Sequence, residues 1–201
     1  MMTVGIQTWG IALPRLKEYW ARAEDLGYHR ITYGDGLWPW THDGWTMLGA
    51  LAVLTRNCRI GPAVTYCFGQ SARHPSWLAK ASVTVDHLSG GRLDLRLGVG
   101  SGDSAAAQAW LAHGIDYPEG RDRVACLAEG IEVIKALWTG SPVDLTGEFF
   151  SLKDARLEPR PLQASAPPIW VAAMGARALG VAARRAEGWE ASYLAPPAFA
   201  G

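Results

Sequence analysis

The amino-acid sequence predicts an α/β fold built around a parallel β-sheet. Short apolar or alternating runs are separated by segments whose apolar residues recur at every third or fourth position. Strand, helix and strand in this order imply right-handed crossovers and parallel strands, which leaves a choice between an open doubly wound sheet and a closed (β/α) barrel. The 201 residues, 49% of them hydrophobic, suffice for one domain, which we expect to cover residues 1–201.

Three strands and three helices are predicted in the first half of the chain. Pro14 and Pro75 suit the first turn of a helix, because proline lacks the N–H group that such a position leaves unpaired. Gly27 suits the end of the first helix. The predicted strands cover residues 3–8, 30–33 and 58–65, and the predicted helices cover residues 14–27, 44–55 and 75–88.

The second half contains the most regular helical pattern, residues 121–138, where Val124, Leu127 and Ile131 mark one apolar face. Residues 105–110 show only a weak helical pattern. Residues 143–152 predict a small hairpin that turns near Gly147. Three more strands of the main sheet are predicted at 92–99, 167–173 and 189–194, with a helix at 175–188.

The composition argues against several kinds of partner. With 19 basic and 19 acidic residues and no basic cluster, nothing favours nucleic acid or an anionic membrane surface. No apolar run approaches the ~20 residues of a membrane helix, and the first residues lack a signal-peptide pattern, so we expect a cytoplasmic protein. Cys58, Cys67 and Cys126 are widely spaced and the five histidines show no ligand spacing, so we expect buried free thiols and no metal site.

Glycines stand on both sides of the predicted strand 92–99. Before it, residues 89–91 (Ser-Gly-Gly) suit the end of a helix and a tight turn. After it, Gly98, Gly100 and Gly102 lie at the carboxyl end of the strand, where parallel α/β folds bind ligands. The two glycine groups therefore predict different roles, one architectural and one at a ligand site.

The second glycine group is not the dinucleotide fingerprint, because Asp103 stands where that pattern needs glycine or alanine. The loop Gly100-Ser101-Gly102 can instead bring backbone N–H groups close to an anion, or it is a plain strand-to-helix turn. A similar loop follows strand 167–173, where Gly175 and Ala176 open a helix and Arg177 adds a guanidinium group. Two such loops on adjacent strand ends suggest one cofactor that carries a phosphate.

Six segments of the chain occur together and in an order typical of one enzyme superfamily. They are YGDGLWPW (33–40), GPAVT (61–65), RHP (73–75), LSGGRLDLRLGVGSG (88–102), EGIEVIKALWTG (129–140) and PPIWVAAMGARALGVAARRAEGW (167–189). Together they cover nearly the whole chain. In this order they resemble the luciferase-like monooxygenase superfamily of flavin- and deazaflavin-dependent enzymes.

This resemblance implies a (β/α)8 TIM-type barrel with the cofactor ring across its carboxyl-terminal mouth. Residues 100–102, with Gly175, Ala176 and Arg177, would hold the cofactor phosphate. A non-proline cis peptide between Ala63 and Val64 would press against the ring. Only about six strands are predicted, so the barrel looks truncated, and we expect its open edge to favour a homo-oligomer.

The activity implied by the resemblance is hydride transfer between the deazaflavin coenzyme F-420 and a small organic substrate. One alternative is a monooxygenase that uses reduced FMN and a flavin reductase partner. Another is a truncated remnant that binds a flavin without catalysis, which the short chain favours.

Two carboxylates are the candidate catalytic residues under this resemblance. Asp35 could hydrogen-bond the ring edge, but the deazaflavin-dependent dehydrogenases usually carry a histidine next to it, where this chain has Gly36. Asp103 then becomes the best candidate to move a proton, with a helix N-cap as its alternative role. Trp40 matches a tryptophan of the cofactor pocket, and we expect an indole wall of Trp9, Trp38, Trp40 and Trp45 at the mouth. Of the histidines, His42 is expected near the mouth, and His74 at the start of a helix.

Overall fold

Parallel strands alternate with helices along the chain, as the sequence predicts. The structure, a computed structural model, describes residues 3–68, 73–101 and 104–191. The first half contains the strands β1 (Gly5–Thr8), β2 (Arg30–Tyr33), β3 (Arg59–Pro62) and β4 (Thr65–Tyr66), and the helices α1 (Leu13–Asp25), α2 (Gly44–Leu54) and α3 (Pro75–Leu88).

The second half adds the remaining strands of the sheet and a separate hairpin. Its strands are β5 (Leu95–Gly98), β6 (Val143–Thr146), β7 (Ser151–Ala155), β8 (Ile169–Ala172) and β9 (Gly188–Glu190), and its helices are α4 (Ser104–Ala112), α5 (Gly120–Trp138) and α6 (Ala176–Arg185). The antiparallel pair β6 and β7 is the predicted hairpin, extended to Ala155. The last predicted strand, 189–194, runs partly outside the described residues.

Strand order decides between the two α/β architectures that the sequence leaves open. Three parallel strands pair in the order β1-β2-β3, and four more pair in the order β4-β5-β8-β9. A parallel bridge between Ile60 and Leu93 joins the two sheets. The strand order follows the chain and lacks the reversal of a doubly wound sheet. These strands therefore form consecutive strands of a barrel.

The predicted strand 58–65 is wrong as one continuous element. Its first part, β3, pairs with β2, and its last part, β4, pairs with β5. Between them the peptide bond from Ala63 to Val64 is cis, as the resemblance implies. The interruption arises because the chain leaves one ladder and joins the next at this point, which a β-branched, apolar sequence does not reveal.

The hydrophobic core lies between the outer face of the sheet and the helices. Trp20 of α1 packs edge-on against Tyr33 of β2, with ring centroids 6.3 Å apart. Trp110 and Trp138 are buried on α4 and α5. Cys58, Cys67 and Cys126 are buried and free, as predicted. No helix in the described ranges has the length and apolarity needed to span a membrane.

The opposite face of the sheet is charged. Arg30 and Arg59 occupy paired positions on β2 and β3, and both form ion pairs with Asp94, at 2.9 and 2.6 Å. Arg96 of β5 forms an ion pair with Glu190 of β9. Since side chains alternate across a strand, the apolar residues between these positions point to the helices and the charged ones into the barrel.

Candidate functional site

Loops that follow the strands meet at one end of the sheet. Parallel strands all point the same way, so the segments after β2, β3, β4, β5 and β8 share the carboxyl end. These segments contain every site residue that the sequence predicts, but Gly102 and Asp103 lie outside the described residues.

The two predicted phosphate loops are neighbours. Gly98 at the end of β5 pairs with Ala172 at the end of β8, so the loops that begin there start side by side. Gly100 has a φ of +67°, which glycine adopts without strain, and the Ser101 side chain is exposed. Gly175 is the N-cap of α6, and nothing lies within 4 Å of the position where a Cβ would stand. The exposed Arg177 occupies the first turn of that helix.

Arg123 of α5, which the sequence analysis missed, holds the first of these loops. Its Nε donates to the carbonyl oxygen of Val99 at 2.7 Å, and its Nη2 donates to that of Ser101 at 3.3 Å. Tyr117 donates its hydroxyl to the same Ser101 oxygen at 2.9 Å, and its ring lies 4.5 Å from the Arg123 guanidinium. Because the C=O and N–H of a trans peptide unit point in opposite directions, the N–H of Gly100 faces away from Arg123.

Asp35 is buried, with 5% of its surface exposed, and both of its carboxylate oxygens have partners. Thr65 donates to Oδ2 at 2.5 Å and Arg73 donates to Oδ1 at 2.6 Å. Burial raises the pKa of Asp35, while Arg73 and Thr65 oppose that shift. With both oxygens engaged, the observed contacts of Asp35 anchor Arg73 and Thr65.

Arg73 bridges Asp35 to a second carboxylate. The same Nη2 atom lies 2.8 Å from Oδ2 of Asp43. Asp43 caps α2 by accepting from the N–H and the hydroxyl of Thr46, both at 2.8 Å. Burial alone would raise the pKa of Asp43, but the hydrogen bonds from Arg73 and Thr46 outweigh burial and hold this pKa below its ordinary value. Asp35, Arg73 and Asp43 together connect the loop after β2 to the start of α3.

A close contact with Trp38 explains why position 36 is occupied by glycine. A Cβ at this position would lie 2.8 Å from Nε1 of Trp38. Any larger residue, including the histidine common in the deazaflavin-dependent dehydrogenases, would therefore have to displace the Trp38 indole. The missing histidine and the position of Trp38 are parts of one local arrangement.

The predicted indole wall is present for three of its four members. Trp38 and Trp40 stack with ring centroids 5.8 Å apart, and Trp9 lies 5.5 Å from Trp40. Trp40 remains 47% exposed. Trp45 does not belong to this stack, because it is buried on α2, where its indole donates to Thr65 at 3.4 Å.

A cavity of about 870 Å³ opens beside these loops. Asp35, Arg73 and Tyr66 line it at the strand ends, and His42 lines it as expected. His113 also lines it, which the sequence did not predict because the pattern of α4 is weak. His74 caps α3, as predicted, by accepting from the N–H of Ser76. Within the described ranges, no group of three or more His, Cys, Asp or Glu side chains could hold a metal ion.

Comparison with known proteins fits this arrangement of strands and loops. A family model described as "Luciferase-like monooxygenase" matches residues 2–201. This chain belongs to the luciferase-like monooxygenase family. The assignment confirms the resemblance that its six sequence segments carry.

Curated relatives of this luciferase-like chain share about a third of its residues. An "F420-dependent glucose-6-phosphate dehydrogenase" of Amycolatopsis mediterranei (strain U-32) is 33% identical over 178 residues, which cover 87% of this chain and 52% of the relative. The protein of that name from Beutenbergia cavernae is 35% identical over 188 residues, covering 87% and 51%. The chain thus spans about half the length of the curated relatives that it matches.

Solved structures confirm the fold. An "F420-dependent secondary alcohol dehydrogenase in complex with an F420-acetone adduct" superposes with a TM-score of 0.81 at 20% identity, covering 93% of this chain and 57% of that one. A coenzyme F420 dependent tetrahydromethanopterin reductase from Methanopyrus kandleri gives 0.80 at 24% identity, covering 93% and 55%. The FMN complex of a Pseudomonas putida 3,6-diketocamphane monooxygenase gives 0.66 at 19%, covering 85% and 51%.

Proposed function

We propose that this chain is the cofactor-binding part of an oxidoreductase that transfers a hydride between coenzyme F-420 and a small organic substrate. The observation that supports this most is the adjacency of two exposed backbone loops on the paired strands β5 and β8. The names of the curated relatives favour the deazaflavin as the cofactor.

The residues at these loops suit a phosphate group. The start of α6 offers unpaired N–H groups and the positive end of a helix dipole. The exposed Arg177 adds a cation in the first turn, and Ser101 adds a hydroxyl group at the neighbouring loop. We assign phosphate binding to residues 100–102, with Gly175, Ala176 and Arg177.

When bound, a deazaflavin supplies a carbon that accepts or donates a hydride, so this chain has only to bind, orient and shield the reactants. In this proposal Ala63, Val64 and Trp40 would contact the ring. Asp35 remains a candidate catalytic residue that would hydrogen-bond the edge of the ring. Arg73 and Thr65 fix the orientation of its carboxylate.

Asp103 is the residue that we propose to move a proton. The expected result of Asp103→Asn is a loss of turnover that exceeds the loss of cofactor affinity, because an amide cannot exchange a proton at neutral pH. Steady-state kinetics beside a cofactor titration measure both quantities. Unchanged turnover and affinity would return Asp103 to the role of a helix cap, because asparagine also caps helices.

Reduced FMN is the second candidate cofactor, and the FMN-bound structural neighbour favours it. In that case the chain would be a monooxygenase supplied by a flavin reductase. A third hypothesis is a truncated, non-catalytic flavin-binding protein. Gly36 favours it, and so do the hydrogen bonds that both carboxylate oxygens of Asp35 already accept. The buried free thiols suit a cytoplasmic location for any of these.

A tryptophan-quenching titration with coenzyme F-420, FMN and riboflavin tests the proposal, because Trp9, Trp38 and Trp40 lie at the mouth. We expect F-420 to quench saturably. Arg177→Ala should weaken its binding roughly fivefold, as for loss of ~1 kcal/mol from one exposed ion pair. Riboflavin lacks the phosphate, so its binding should not change.

Arg184→Ala is the matched control, because Arg184 is exposed at the other end of the same helix. Tighter binding of FMN than of F-420 would favour the monooxygenase. Equal loss of affinity in both arginine variants would contradict the assignment of the phosphate loops.

A further inference from the structure

The cavity of about 870 Å³ is separate from the proposed phosphate site. None of the predicted phosphate-binding residues that the structure describes lines it, and neither Ala63 nor Val64 does. It lies instead between the loop after β2 and the helices α3 and α4, and Tyr66 marks its border toward the strand ends. A volume of this size accommodates a second small molecule beside a bound cofactor.

The walls of this cavity are largely aromatic and aliphatic. Four tryptophans line it, namely Trp38, Trp45, Trp77 and Trp110. Leu78 and Ile115 add aliphatic surface between the indoles. Flat indole faces favour planar or cyclic apolar molecules, which can lie against them over a large area.

The charges in the cavity do not favour an anion. Arg73 is the only arginine or lysine among the described residues that line it, and both Asp35 and Asp43 already pair with its guanidinium. The segments 69–72 and 102–103, outside the described residues, contain no basic side chain. A phosphate group here would meet two carboxylates around one shared cation, which costs it more hydration than it regains in attraction.

Two histidines also line the cavity, and each has a ring nitrogen within hydrogen-bond distance of a backbone carbonyl oxygen. His42 Nε2 lies 3.1 Å from the carbonyl oxygen of Ile11, and His113 Nδ1 lies 2.7 Å from that of Ala109. A carbonyl oxygen only accepts, so each of these nitrogens carries its proton. The neutral imidazole already satisfies both contacts.

We propose that this cavity binds a neutral aromatic or alicyclic substrate and rejects sugar phosphates. The inference rests on the proposed function only in treating the bound molecule as the substrate. It contrasts with the glucose 6-phosphate named for the curated relatives.

Calorimetric titration of the F-420-loaded chain with 2-naphthol and with glucose 6-phosphate tests this substrate class. We expect saturable binding of 2-naphthol and none of glucose 6-phosphate. Ala109→Trp should fill the cavity and weaken 2-naphthol binding at least tenfold. Ala112→Trp is the control, because Ala112 is exposed on the same helix and does not line the cavity. Tighter binding of glucose 6-phosphate, or equal 2-naphthol affinity in both variants, would overturn the proposal.

The charge argument has a separate test in Asp43→Asn. Asparagine is also a good N-cap, so α2 should keep its start while one of the two carboxylates around Arg73 is removed. We expect the affinity for inorganic phosphate to rise about threefold, the effect of one exposed ion pair, with no change for 2-naphthol. Unchanged phosphate affinity in this variant would show that the two carboxylates do not control anion binding.

Failure of this inference can be told from failure of the proposed function. Each sample is first titrated with F-420 alone. If F-420 does not bind, the cofactor assignment fails, and the 2-naphthol titration of the unloaded chain still reports on the cavity. If F-420 binds and 2-naphthol does not, only the substrate class is wrong.

Discussion

Arg123 shows how one buried side chain can prepare a loop for a ligand that it does not touch. Only 6% of its surface is exposed, and its guanidinium donates to the carbonyl oxygens of Val99, Ser101 and Pro118. Those contacts occupy the carbonyl side of the loop after β5 and leave the N–H of Gly100 on the other side. We therefore regard Arg123 as a positioning residue for the proposed phosphate site.

Replacement of Arg123 should separate phosphate-bearing cofactors from phosphate-free ones. Arg123→Met removes one donor from each of three carbonyl oxygens, of which that of Ser101 keeps the Tyr117 hydroxyl. We expect F-420 and FMN to bind about tenfold more weakly, a loss of ~1.4 kcal/mol. Riboflavin affinity should change little. Fluorescence titrations of the three compounds provide the comparison, and Arg123→Lys should recover part of the loss. A uniform loss for all three would indicate general destabilisation instead.

Single residues also mark where sequence reasoning succeeds and fails. The positions of Gly100 and Gly175 after strand ends could be predicted from a local pattern, while their role in phosphate binding stays a prediction. Arg123 and His113 could not, because their roles arise from contacts between segments far apart in the chain. The same holds for the pairing of Arg73 with Asp35, 38 residues away.

At the scale of elements, Glu24 connects α1 to the segment that leads into β3. Its Oε1 accepts from the N–H groups of Arg56, Asn57 and Cys58, at 2.8, 2.6 and 3.2 Å. Burial opposes the shift, but these hydrogen bonds hold the pKa of Glu24 below its ordinary value. This carboxylate thus fixes the junction between two elements that the chain separates by a whole helix.

The lowered pKa predicts how this junction responds to acid. The folded state binds the proton of Glu24 less tightly than the unfolded chain does, so the stabilisation is complete above the ordinary glutamate pKa. It is lost as the pH falls through the lowered folded value. We expect Glu24→Gln to cost about 1 kcal/mol at neutral pH, and the difference from wild type to shrink as the pH falls below ~4.

Denaturant unfolding at several pH values measures this effect. Glu18→Gln is the control, because Glu18 is exposed on the same helix. A difference between wild type and Glu24→Gln that stays constant across the acid range would contradict the role of the Glu24 charge.

Most elements could be predicted because their signals are periodic and local. The amphipathic pattern of α5 and the prolines at the start of α1 and α3 place three helices close to their observed positions. The break between β3 and β4 could not be predicted, since it depends on which neighbouring strand each half pairs with. Periodicity carries no information about the partner of a strand.

At the scale of the whole molecule, the strand order resolves the architecture but leaves two edges. Among the described residues, β1 pairs only with β2, and β9 pairs only with β8. Edge strands present unpaired N–H and C=O groups that favour association with other chains. The chain also spans about half the length of the curated relatives that it matches.

We therefore expect the isolated 201-residue chain to self-associate. The sedimentation coefficient should rise with protein concentration, and the thermal transition should be broad, because the exposed edge strands favour pairing between copies of the chain. Analytical ultracentrifugation and a melting curve measure these properties. A single monomeric species with a cooperative melt would show that the edges are protected.

The contact between Gly36 and Trp38 constrains the routes by which this protein could evolve or be engineered. Installing a histidine at position 36 in one step collides with an indole that is itself stacked on Trp40. The two positions are therefore coupled: a histidine at position 36 requires the Trp38 indole to move or to be replaced by a smaller side chain. A change at position 36 is therefore expected to be accepted more readily in a background where Trp38 has already been replaced by a smaller residue.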